Sequence, residues 1–522
     1  MPALLFIRIL LVFFISVSAL IAQEHAAAPE LNPPPAEPAT AKPCALEEVN
    51  AIQFPIRFPA RTCIRLSGGF ASHPGSFASA SVSTHELLHM GEEMRLTAEI
   101  GVRTRRAQFS LSKPFLFGRP IETGLTAYAQ RFAYNQRRES SIFAFSPDIP
   151  LFDRLSSDAL LHYTSHSLRV SAFVGFPMGR FSHLRLTYQF DASSVTPLTA
   201  STREYFEDIS FEGLSAPQSL HAIKTSALIP SYAYSTIDNP GDPGRGMALT
   251  AKLSVSGLGG DSRTLEPIVE AKYFRRGFTP RAVIGLRFLG RLITGYGGQA
   301  VPPFDRYYMG GENDVRGLDS WSASPIIYIP SVASANVLNA DGSQRVQPII
   351  VDGVVHYIFV TQSIPVYRFV SAGGDTNIVA NLEYRIHLTR VLNLVFFGDV
   401  GVNRITFLDQ LHLTHAKIDQ LNQHFPSVAF SQQPVVQHRG AGVQVSTGPQ
   451  LEFRVPHVTA PVRVYWAYNP TASRTIRPAP IPFDRYIFPN NATYEKALNA
   501  FPASMPFSER RFLIRFAIGR TF

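Results

Sequence analysis

The last eleven residues of the chain, FLIRFAIGRTF (residues 512–522), alternate between apolar and other side chains and end on an aromatic residue. The apolar positions share one face, which consists of Phe512, Ile514, Phe516, Ile518 and Phe522. A period of two is typical of a β-strand with one apolar face, and an apolar face that points outward is the repeating unit of a transmembrane barrel. Arg520 interrupts this face near its end, where a long side chain reaches the membrane interface at modest cost. The stretch predicts the last strand of a membrane sheet.

The same period of two recurs along the chain from about residue 62. It is clear in residues 95–103, 184–190 and 382–388, and weaker in residues 462–468. No helical crossover separates these stretches, which argues against a parallel α/β sheet and leaves an array of soluble β-sandwiches or a transmembrane barrel. Because a bilayer supplies no water to an open sheet edge, a membrane sheet has to close. We predict an all-β transmembrane antiparallel barrel over residues 62–522, with sixteen strands at roughly 29 residues per strand and its share of loop.

Long polar segments interrupt the strands. Residues 323–350, 404–438 and 470–508 are rich in Pro, Ser, Asn and Gln, and they predict external loops, which in such barrels are longer than the periplasmic turns. Helical patterning is scarce, and His415 to His424 predicts only one or two helical turns.

The overall composition agrees with this fold class. Charged residues make up 17% of the 522 residues and aromatic residues 11%, so the chain is neither disordered nor a typical helical membrane protein. Apart from the N-terminus, no apolar run reaches the length of about 18 residues that a transmembrane helix needs. The net charge of +9 comes from scattered basic residues without the stripe that a nucleic-acid-binding surface shows, so no nucleic-acid partner is predicted.

The N-terminal residues predict export. Residues 1–22 combine Arg8, an apolar core and small residues near Ala19 and Ala22, which is the form of a cleaved signal peptide, with a retained single helix as the alternative. Residues 23–61 follow as a Pro- and Ala-rich periplasmic linker that carries too little apolar sequence for a core of its own. The predicted domains are therefore the signal peptide (1–22), the linker (23–61) and the barrel (62–522).

The chain holds two cysteines, Cys44 and Cys63. An oxidising compartment permits a disulfide between them, worth roughly 3 kcal/mol by the loop-entropy model, and two free thiols are the alternative. No second Cys or His pair lies at ligand spacing, so no metal site is predicted.

Several motifs resemble those of the BamA/TamA superfamily of outer-membrane assembly and secretion barrels. The clearest is the stretch FDRYYMGG (304–311) followed by VRGL (315–318), which is similar to the signature loop of that family. Further resemblances follow in the family's order, at residues 113–117, 238–246, 381–386 (strand 12), 396–401 (strand 13) and 440–444 (strand 14). The terminal Phe522, with Phe512 and Phe516, resembles the recognition signal of bacterial outer-membrane barrels. The resemblance spans nearly all of residues 62–522 and implies sixteen strands in the bacterial outer membrane.

Arg316 is the candidate functional residue, because it is a lone arginine among the glycines of a permissive loop. The strand pattern points Asp399 of residues 391–401 and Glu383 of the preceding strand into the lumen, where a folded-in loop brings Arg316 against one of them. The resemblance implies the same, because the family's arginine loop lies in the lumen against strands 12 and 13. We predict a lumenal latch of Arg316, Gly317, Asp399 and Glu383, with Gly310 and Gly311 as the loop hinge; an external hairpin with a solvated arginine is the alternative.

Catalytic motifs are not found in the sequence. GGENDVRG (310–317) has no following Gly-Lys-Ser/Thr, and neither a GxSxG elbow nor an HExxH pair occurs. We therefore predict no enzyme, no catalytic residue, no cofactor and no metal.

Three functions remain open. In the first, the barrel assists insertion of other outer-membrane proteins through a weak seam between its first strand, near residues 63–70, and its last. In the second, it is a polypeptide-secretion or solute pore plugged by loop 304–320. In the third, it is a structural barrel that binds a separately encoded periplasmic module through the tether of residues 24–61. The expected partners are outer-membrane lipid, unfolded outer-membrane proteins or a secreted polypeptide, and a separate periplasmic POTRA-like or accessory protein. The family usually carries POTRA domains, for which residues 23–61 are too short. Leu318 also replaces the aromatic residue that usually follows Val-Arg-Gly.

Overall fold

The computed structural model describes most of the chain from Ala51 onward. The described residues are 51–57, 62–71, 75–86, 90–135, 144–145, 162–208, 223–240, 242–319, 322–437, 442–454, 461–472, 477–478, 485–500, 504–505, 510–518 and 521–522. The predicted signal peptide (1–22) and the first part of the predicted linker lie outside them.

Strands dominate the described residues. The first thirteen are β1 (Ala51–Arg57), β2 (Thr62–Ala71), β3 (Gly75–His85), β4 (Glu93–Gly101), β5 (Thr104–Lys113), β6 (Glu122–Asn135), β7 (Ala144–Phe145), β8 (His162–Pro177), β9 (Ser182–Pro197), β10 (Ile223–Ser235), β11 (Gly246–Gly260), β12 (Thr264–Arg276) and β13 (Ala282–Leu292). The others are β14 (Thr294–Gly295), β15 (Ile326–Asn336), β16 (Val346–Val351), β17 (Val354–Phe359), β18 (Thr361–Ser371), β19 (Thr376–His387), β20 (Leu392–Arg404), β21 (Val435–Gln437), β22 (Val443–Phe453), β23 (Val462–Tyr468), β24 (Arg477–Pro478), β25 (Ser504–Met505) and β26 (Phe512–Ile518). The α-helices are α1 (Ala200–Asp208), α2 (His415–His424) and α3 (Asn491–Ala500), with 3-10 turns at Pro303–Asp305, Leu408–Gln410 and Arg485–Ile487.

Sixteen antiparallel strands form a nearly closed transmembrane barrel, as predicted. Starting from β2, each wall strand pairs with the next one in the order β2, β3, β4, β5, β6, β8, β9, β10, β11, β12, β13, β19, β20, β22, β23 and β26. In this count, β19, β20 and β22 are strands 12, 13 and 14, the positions that the sequence motifs at 381–386, 396–401 and 440–444 predict. None of the helices in the described part of the chain has the length and hydropathy needed to cross a bilayer.

The alternation of the strands separates a lipid face from a lumenal face. On β20, the side chain of Phe396 is 49% exposed, whereas Phe397 and Asp399 are 3% and 0% exposed. Paired residues share a face, so the lumenal side continues across the wall from Glu383 through Phe397, and from Asn381 through Asp399. The wall therefore presents apolar side chains outward and buries polar and charged side chains inward, as the alternation in the sequence predicts.

The two ends of the barrel differ in the length of their connections. One end carries the connections 86–92, 114–121, 178–181, 236–245, 277–281, 388–391 and 454–461, and we call it the turn end. The other end carries the long connections 136–161, 198–222, 293–375, 405–442 and 469–511 together with the short connections 72–74, 102–103 and 261–263, and we call it the loop end. Long connections are typical of the extracellular side and short ones of the periplasmic side.

A lobe covers the loop end. Its apolar core consists of Tyr134, Tyr163, Val195, Tyr205, Phe206, Ile327, Ile329, Val370, Ala372, Ile405, Leu411, Leu413, Ile418, Leu421, Phe425 and Phe430. These residues come from strand ends, α1, α2 and the ladder of β15 with β18. The segment after Leu318 is therefore built into this lobe, and His415–His424 forms a helix of ten residues, longer than the one or two turns predicted.

A tight turn at the turn end is organised by Asp238. Its Oδ1 accepts hydrogen bonds from the backbone N–H groups of Asn239 at 2.9 Å, Gly244 at 3.0 Å and Arg245 at 3.2 Å. Slight burial opposes ionisation, but the three N–H groups outweigh it and hold the pKa of the Asp238 carboxyl below its usual range. This explains in physical terms the Asp-Asn-Pro motif at residues 238–240.

The N-terminal edge of the sheet differs from the sequence prediction. Residues 51–57, assigned to the linker, form β1, and this strand pairs with β2 from Ala51 opposite Gly69 to Arg57 opposite Cys63. The alternation of AIQFPIR (residues 51–57) is that of a strand, and the high content of Pro and Ala before it concealed this pattern. Cys63 is buried and disulfide-bonded, whereas Cys44 lies outside the described residues.

The C-terminal edge agrees with the prediction up to Ile518. Leu513, Arg515 and Ala517 of β26 are buried in the lumen, and Phe512 and Ile514 face outward with Phe516. Phe522 departs from the predicted apolar stripe. It is buried, it stacks on Phe274 with 5.9 Å between ring centroids, and its carbonyl oxygen accepts a hydrogen bond from Arg385. The strand ends at Ile518, so alternation no longer fixes the direction of the last side chain.

The barrel has a seam, which we define as the gap between β2 and β26. Cα atoms of the two strands lie within 8 Å of each other, but no backbone ladder joins them among the described residues. The free side of β26 instead pairs at Ile514 and Arg515 with the two residues of β7. The wall is therefore continuous everywhere except at this seam.

We expect a charge on the lipid face to destabilise the barrel strongly. Phe396→Arg places a guanidinium among lipid tails in the middle of β20 and should cost about 2–4 kcal/mol of unfolding free energy. The measurement is urea unfolding in lipid vesicles. Val355→Arg, at an exposed apolar position of the β16–β17 hairpin outside the wall, is the matched control. Equal losses in the two variants would contradict the assignment of the lipid face.

Candidate functional site

The loop that follows β14 folds into the lumen. It is anchored by isolated bridges from Tyr307 to Gly374 and from Met309 to Ala323. Two consecutive glycines, Gly310 with φ +123° and Gly311 with φ +100°, turn the backbone in a region that L side chains rarely adopt. The predicted hinge positions are thus the points where the buried loop changes direction, although hinge motion stays a prediction.

Arg316 lies at the end of this loop with no exposed surface and contacts two carboxylates of the wall. Its Nε donates to Asp399 Oδ2 at 2.8 Å and its Nη2 donates to Asp399 Oδ1 at 2.8 Å, which is a bidentate pair. Its Nη1 donates to Glu383 Oε1 at 2.6 Å, and its backbone N–H donates to Asp399 Oδ2 at 3.0 Å. The structure thus brings together the residues that the sequence predicted, and both carboxylates contact the same guanidinium.

Neighbouring side chains complete the surroundings of Arg316. Asn381 donates one hydrogen bond to Asp399 Oδ1 at 2.9 Å and another to the backbone carbonyl of Asp314 at 2.7 Å. The guanidinium carbon of Arg316 lies 4.0 Å from the centroid of the Phe397 ring, a cation–π contact. Gln450 accepts a longer hydrogen bond from Arg316 Nη1 at 3.3 Å. The site therefore uses β19, β20 and β22 together.

Both carboxylates at this site are paired with buried arginines. Arg385 donates from Nε to Glu383 Oε2 at 2.6 Å, so Glu383 lies between two guanidinium groups while Asp399 holds one. Two cations and two anions are thus paired, and the buried Arg463 is a further cation in the same part of the lumen. Burying unpaired charges costs several kcal/mol per ion, whereas a paired and hydrogen-bonded set costs much less. Removal of one member therefore leaves a buried charge without its partner.

The apolar side of the loop packs on a different part of the wall. Met309, Val315 and Leu318 are buried against Leu289 of β13 and Val379 of β19. Leu318, which replaces the family's usual aromatic residue, is 4% exposed and fills this contact as an aliphatic side chain. The loop is therefore docked by apolar burial on one side and by the ion pairs on the other.

The last strand also holds the loop, a contact that the sequence interpretation missed. Arg515 of β26 is fully buried and donates to the Leu318 carbonyl at 3.1 Å, to Asp319 Oδ1 at 3.1 Å and to Glu312 Oε1 at 3.4 Å. A signal for it was available, because strand alternation points Arg515 away from the Phe512 face and into the lumen. The loop thus bridges strands 12 and 13 and the strand at the seam.

The space around residue 317 admits glycine but no side chain. Its φ is +84°, and a Cβ on it would lie 2.4 Å from the Cβ of Ala467 and 3.0 Å from Asn469 Oδ1. The backbone carbonyl of Gly317 also accepts a hydrogen bond from Asn469 Nδ2 at 2.8 Å. Close approach of the loop to β23 therefore depends on the missing side chain.

The acidic side chains around Arg316 take part in ion pairs. Within the part of the chain that the structure describes, no group of three or more His, Cys, Asp or Glu has a metal-binding arrangement. The acidic residues near Arg316 instead each face an arginine: Asp399 and Glu383 face Arg316, and Asp319 and Glu312 face Arg515.

Comparison with known proteins gives matches over most of the chain. Residues 87–480 match the family model described as the Omp85 superfamily domain. The outer membrane protein assembly factor BamA of Neorickettsia risticii (strain Illinois) is 26% identical over 266 residues, which cover 50% of this chain and 31% of that protein. The chain thus aligns with about a third of the length of this relative.

A solved structure shows a similar fold. The crystal structure of BamA from Haemophilus ducreyi lacking POTRA domains 1–3 superposes with a TM-score of 0.53 at 14% sequence identity, covering 88% of this chain and 70% of that one. At this identity the similarity concerns the fold.

We expect the charges around Arg316 to be strongly coupled. Arg316→Met leaves Asp399 buried without its cation and should cost about 3–5 kcal/mol, whereas the double variant Arg316→Met/Asp399→Leu should lose less than the sum of the single losses. The measurement is the unfolding free energy in vesicles. Arg185→Met, which breaks the exposed pair with Glu122, should cost no more than about 1 kcal/mol and is the control. Additive losses would exclude the coupled network.

We expect Gly317→Ala to displace the loop from the wall. Gly342→Ala is a matched control, because Gly342 has a similar φ of +82° but no atom within 4 Å of the added Cβ. Both substitutions place an alanine in the left-handed backbone region, which costs about 1–2 kcal/mol of unfolding free energy, and only Gly317→Ala adds a steric clash. The measurement is tryptic cleavage after Arg316, detected by mass spectrometry. Equal resistance of the two variants would show that the loop does not need this close approach.

Proposed function

Because the chain belongs to the Omp85 superfamily, we propose that it resides in the bacterial outer membrane and assists the insertion of other outer-membrane proteins through its seam. The observation that carries the proposal is the seam itself. β2 and β26 approach within 8 Å without a ladder among the described residues, while every other neighbouring pair in the wall is joined by one. The two seam edges are not joined to each other, and a strand edge that is not committed to the closed wall is a template for an added strand.

The geometry of β26 supports this proposal. The strand has seven residues, and its ladder to β23 runs from Val462 opposite Ile518 to Tyr468 opposite Phe512. The β8–β9 ladder, in contrast, extends over fifteen pairs. The last strand is thus short, and no ladder has to be broken between β26 and β2, so opening the wall at the seam costs less than opening it between two strands joined by a ladder.

Arg316 and its loop act in this proposal as a latch that sets the position of the wall next to the seam. The loop is held by Asp399 and Glu383 on strands 13 and 12 and, through Glu312 and Asp319, by Arg515 on the last strand. Displacing the loop therefore removes support from β26 on its lumenal side. We propose that the docked loop keeps β26 in the position in which the seam can take an incoming strand.

A second function, a secretion or solute pore plugged by the same loop, is favoured by a specific cavity. A space of about 410 Å³ lies in the lumen beside the loop and is lined by side chains that include Ser165, Ser167, Gln189, Arg169 and Asp191. A polar lumen is typical of barrels that conduct solutes. In this case the docked loop would block the path, and its release would raise conductance.

The proposed partners follow from the insertion function. They are outer-membrane lipid, which contacts the apolar face of the wall, unfolded outer-membrane proteins, which supply strands, and a separate periplasmic POTRA-like or accessory protein that delivers them. For the pore, a secreted polypeptide replaces the unfolded membrane protein.

We expect the purified barrel in liposomes to accelerate the folding of an unfolded outer-membrane protein added from outside. An acceleration of about tenfold over empty liposomes corresponds to a barrier lowered by about 1.4 kcal/mol. Arg316→Met and Gly317→Ala should reduce the acceleration, and Gly342→Ala should retain it. The measurement is the rate at which the added protein acquires its folded, heat-modifiable form in gels.

Conductance across a planar bilayer distinguishes the two functions. An insertion barrel predicts acceleration with little conductance. A folding rate equal to that in empty liposomes, together with conductance that rises in Gly317→Ala, would reject insertion and support the pore.

A further inference from the structure

The edge of β2 that faces the seam is occupied by a segment of the same chain. β1 pairs with β2 at seven consecutive positions, from Ala51 opposite Gly69 to Arg57 opposite Cys63. The other edge of β2 pairs with β3. β2 therefore has a neighbour on both sides, although the neighbour at the seam is not the last strand of the wall.

β1 runs in the same direction as the last strand. β26 leads from the long connection 469–511 at the loop end to the turn end. β2 begins at the turn end, and β1 is antiparallel to it, so β1 also runs from the loop end to the turn end. In an antiparallel barrel with an even number of strands, this is the direction of any strand that closes on the first one. β1 thus occupies the place of a last strand.

The register of β1 also fits a membrane strand. On β2, Cys63 and Arg65 are buried toward the lumen, while Leu66 is 44% exposed on the lipid side. The apolar residues of β1 lie opposite the lipid-side residues of β2, in the pairs Ile52–Gly68, Phe54–Leu66 and Ile56–Ile64. The remaining positions lie opposite the lumenal residues, in the pairs Gln53–Ser67, Pro55–Arg65 and Arg57–Cys63. A one-residue slip would exchange the two faces, so this pairing has the register of a barrel wall.

One strand edge takes one partner. The backbone groups of β2 that bond β1 are the groups that β26, or a strand of another protein, needs for pairing. The free edge of β26 is likewise taken at Ile514 and Arg515, where it pairs with β7. Both sides of the seam are therefore paired with the chain's own short segments.

We propose that β1 is a built-in occupant of the strand-binding edge of β2, which stands in for the last strand of an incoming membrane protein. This inference rests on the proposed insertion function and adds what the edge binds: an extended strand that runs toward the turn end and carries apolar residues at every second position. Binding of such a strand displaces β1. β1 also keeps the edge from pairing with unrelated chains when no incoming strand is present.

Cross-linking between opposed positions tests the occupancy. Gln53→Cys and Ser67→Cys are introduced into a background with Cys44→Ser and Cys63→Ser, and the barrel is reconstituted into liposomes. We expect efficient cross-linking by oxidation or by a short thiol-reactive cross-linker. Ala98→Cys with Ala107→Cys, opposed on β4 and β5, is the matched control within the closed wall. Failure of the 53–67 pair in a barrel whose 98–107 pair cross-links would overturn the proposal.

Competition tests the displacement. An unfolded outer-membrane protein added in excess should lower the 53–67 yield severalfold and leave the 98–107 yield unchanged. The same protein without its last strand should lower neither. A disulfide that locks positions 53 and 67 together should slow insertion about tenfold. Reduction of this disulfide should restore the rate. Replacement of residues 51–57 by a Gly-Ser sequence of equal length should not slow insertion.

The outcomes separate the two proposals. If insertion is accelerated while the 53–67 yield stays constant and the lock has no effect, the occupant role of β1 is wrong and the insertion function stands. If the yield falls but no barrel form accelerates insertion, β1 is displaced by client strands and the insertion function is wrong. If neither changes, both proposals are rejected.

Discussion

The full burial of the Arg316 guanidinium is the constraint on which much of the barrel interior depends. A guanidinium with no exposed surface requires carboxylates at fixed positions. Asp399 and Glu383 are these carboxylates, and they lie on adjacent strands. Those carboxylates face the lumen only if the β19–β20 register pairs Asn381 with Asp399 and Glu383 with Phe397. A slip by one residue between these two strands would place the two carboxylates on opposite faces of the wall and turn one of them toward lipid. The ion pairs therefore fix the register of strands 12 and 13, and the loop backbone has to reach them, which only glycine at position 317 allows.

The bilayer imposes the second constraint, and it explains why the seam differs from the rest of the wall. Every backbone group in the hydrocarbon region needs a partner, so a barrel cannot leave its first and last strands unpaired. This chain meets the requirement locally, since β1 covers β2 and β7 covers part of β26. Both coverings are short segments. The seam is thus only partly satisfied in backbone hydrogen bonds, whereas the lumenal network beside it is dense.

The sequence was sufficient to predict the barrel and the lumenal position of Asp399 and Glu383, because both depend on a period of two, whereas the position of the Arg316 loop was predicted from its glycines and from the family resemblance. Alternation assigns a face to each residue without knowledge of tertiary structure, and it placed Asp399 and Glu383 in the lumen. It also pointed Arg515 inward, but its partners Glu312 and Asp319 lie about 200 residues away on a loop whose path no local pattern specifies. Phe522 was misplaced because the strand ends at Ile518 and alternation ends with it. β1 was missed because its seven residues follow a Pro-rich stretch, and because no local pattern specifies that a segment pairs with β2 at the seam. The lobe at the loop end, with α1 and α3, depends on contacts among distant loops that carry no periodic signal.

Arg515 connects the two constraints. It is a residue of β26, the strand with the weakest backbone support, and its side chain contacts Glu312, Leu318 and Asp319 of the loop that Arg316 holds. The position of the last strand is therefore set from the lumen by side-chain contacts as well as by its ladder to β23. Those contacts do not depend on the strand paired at the edge of β2. The backbone hydrogen bonds broken with β1 are replaced one by one by those of the incoming strand. The edge of β2 can therefore exchange one strand for another, while strands 12 and 13 and the loop keep their arrangement. The strand that covers the seam can be replaced, whereas buried charges hold the lumen beside it. The structural change that accompanies strand exchange is therefore confined to the seam.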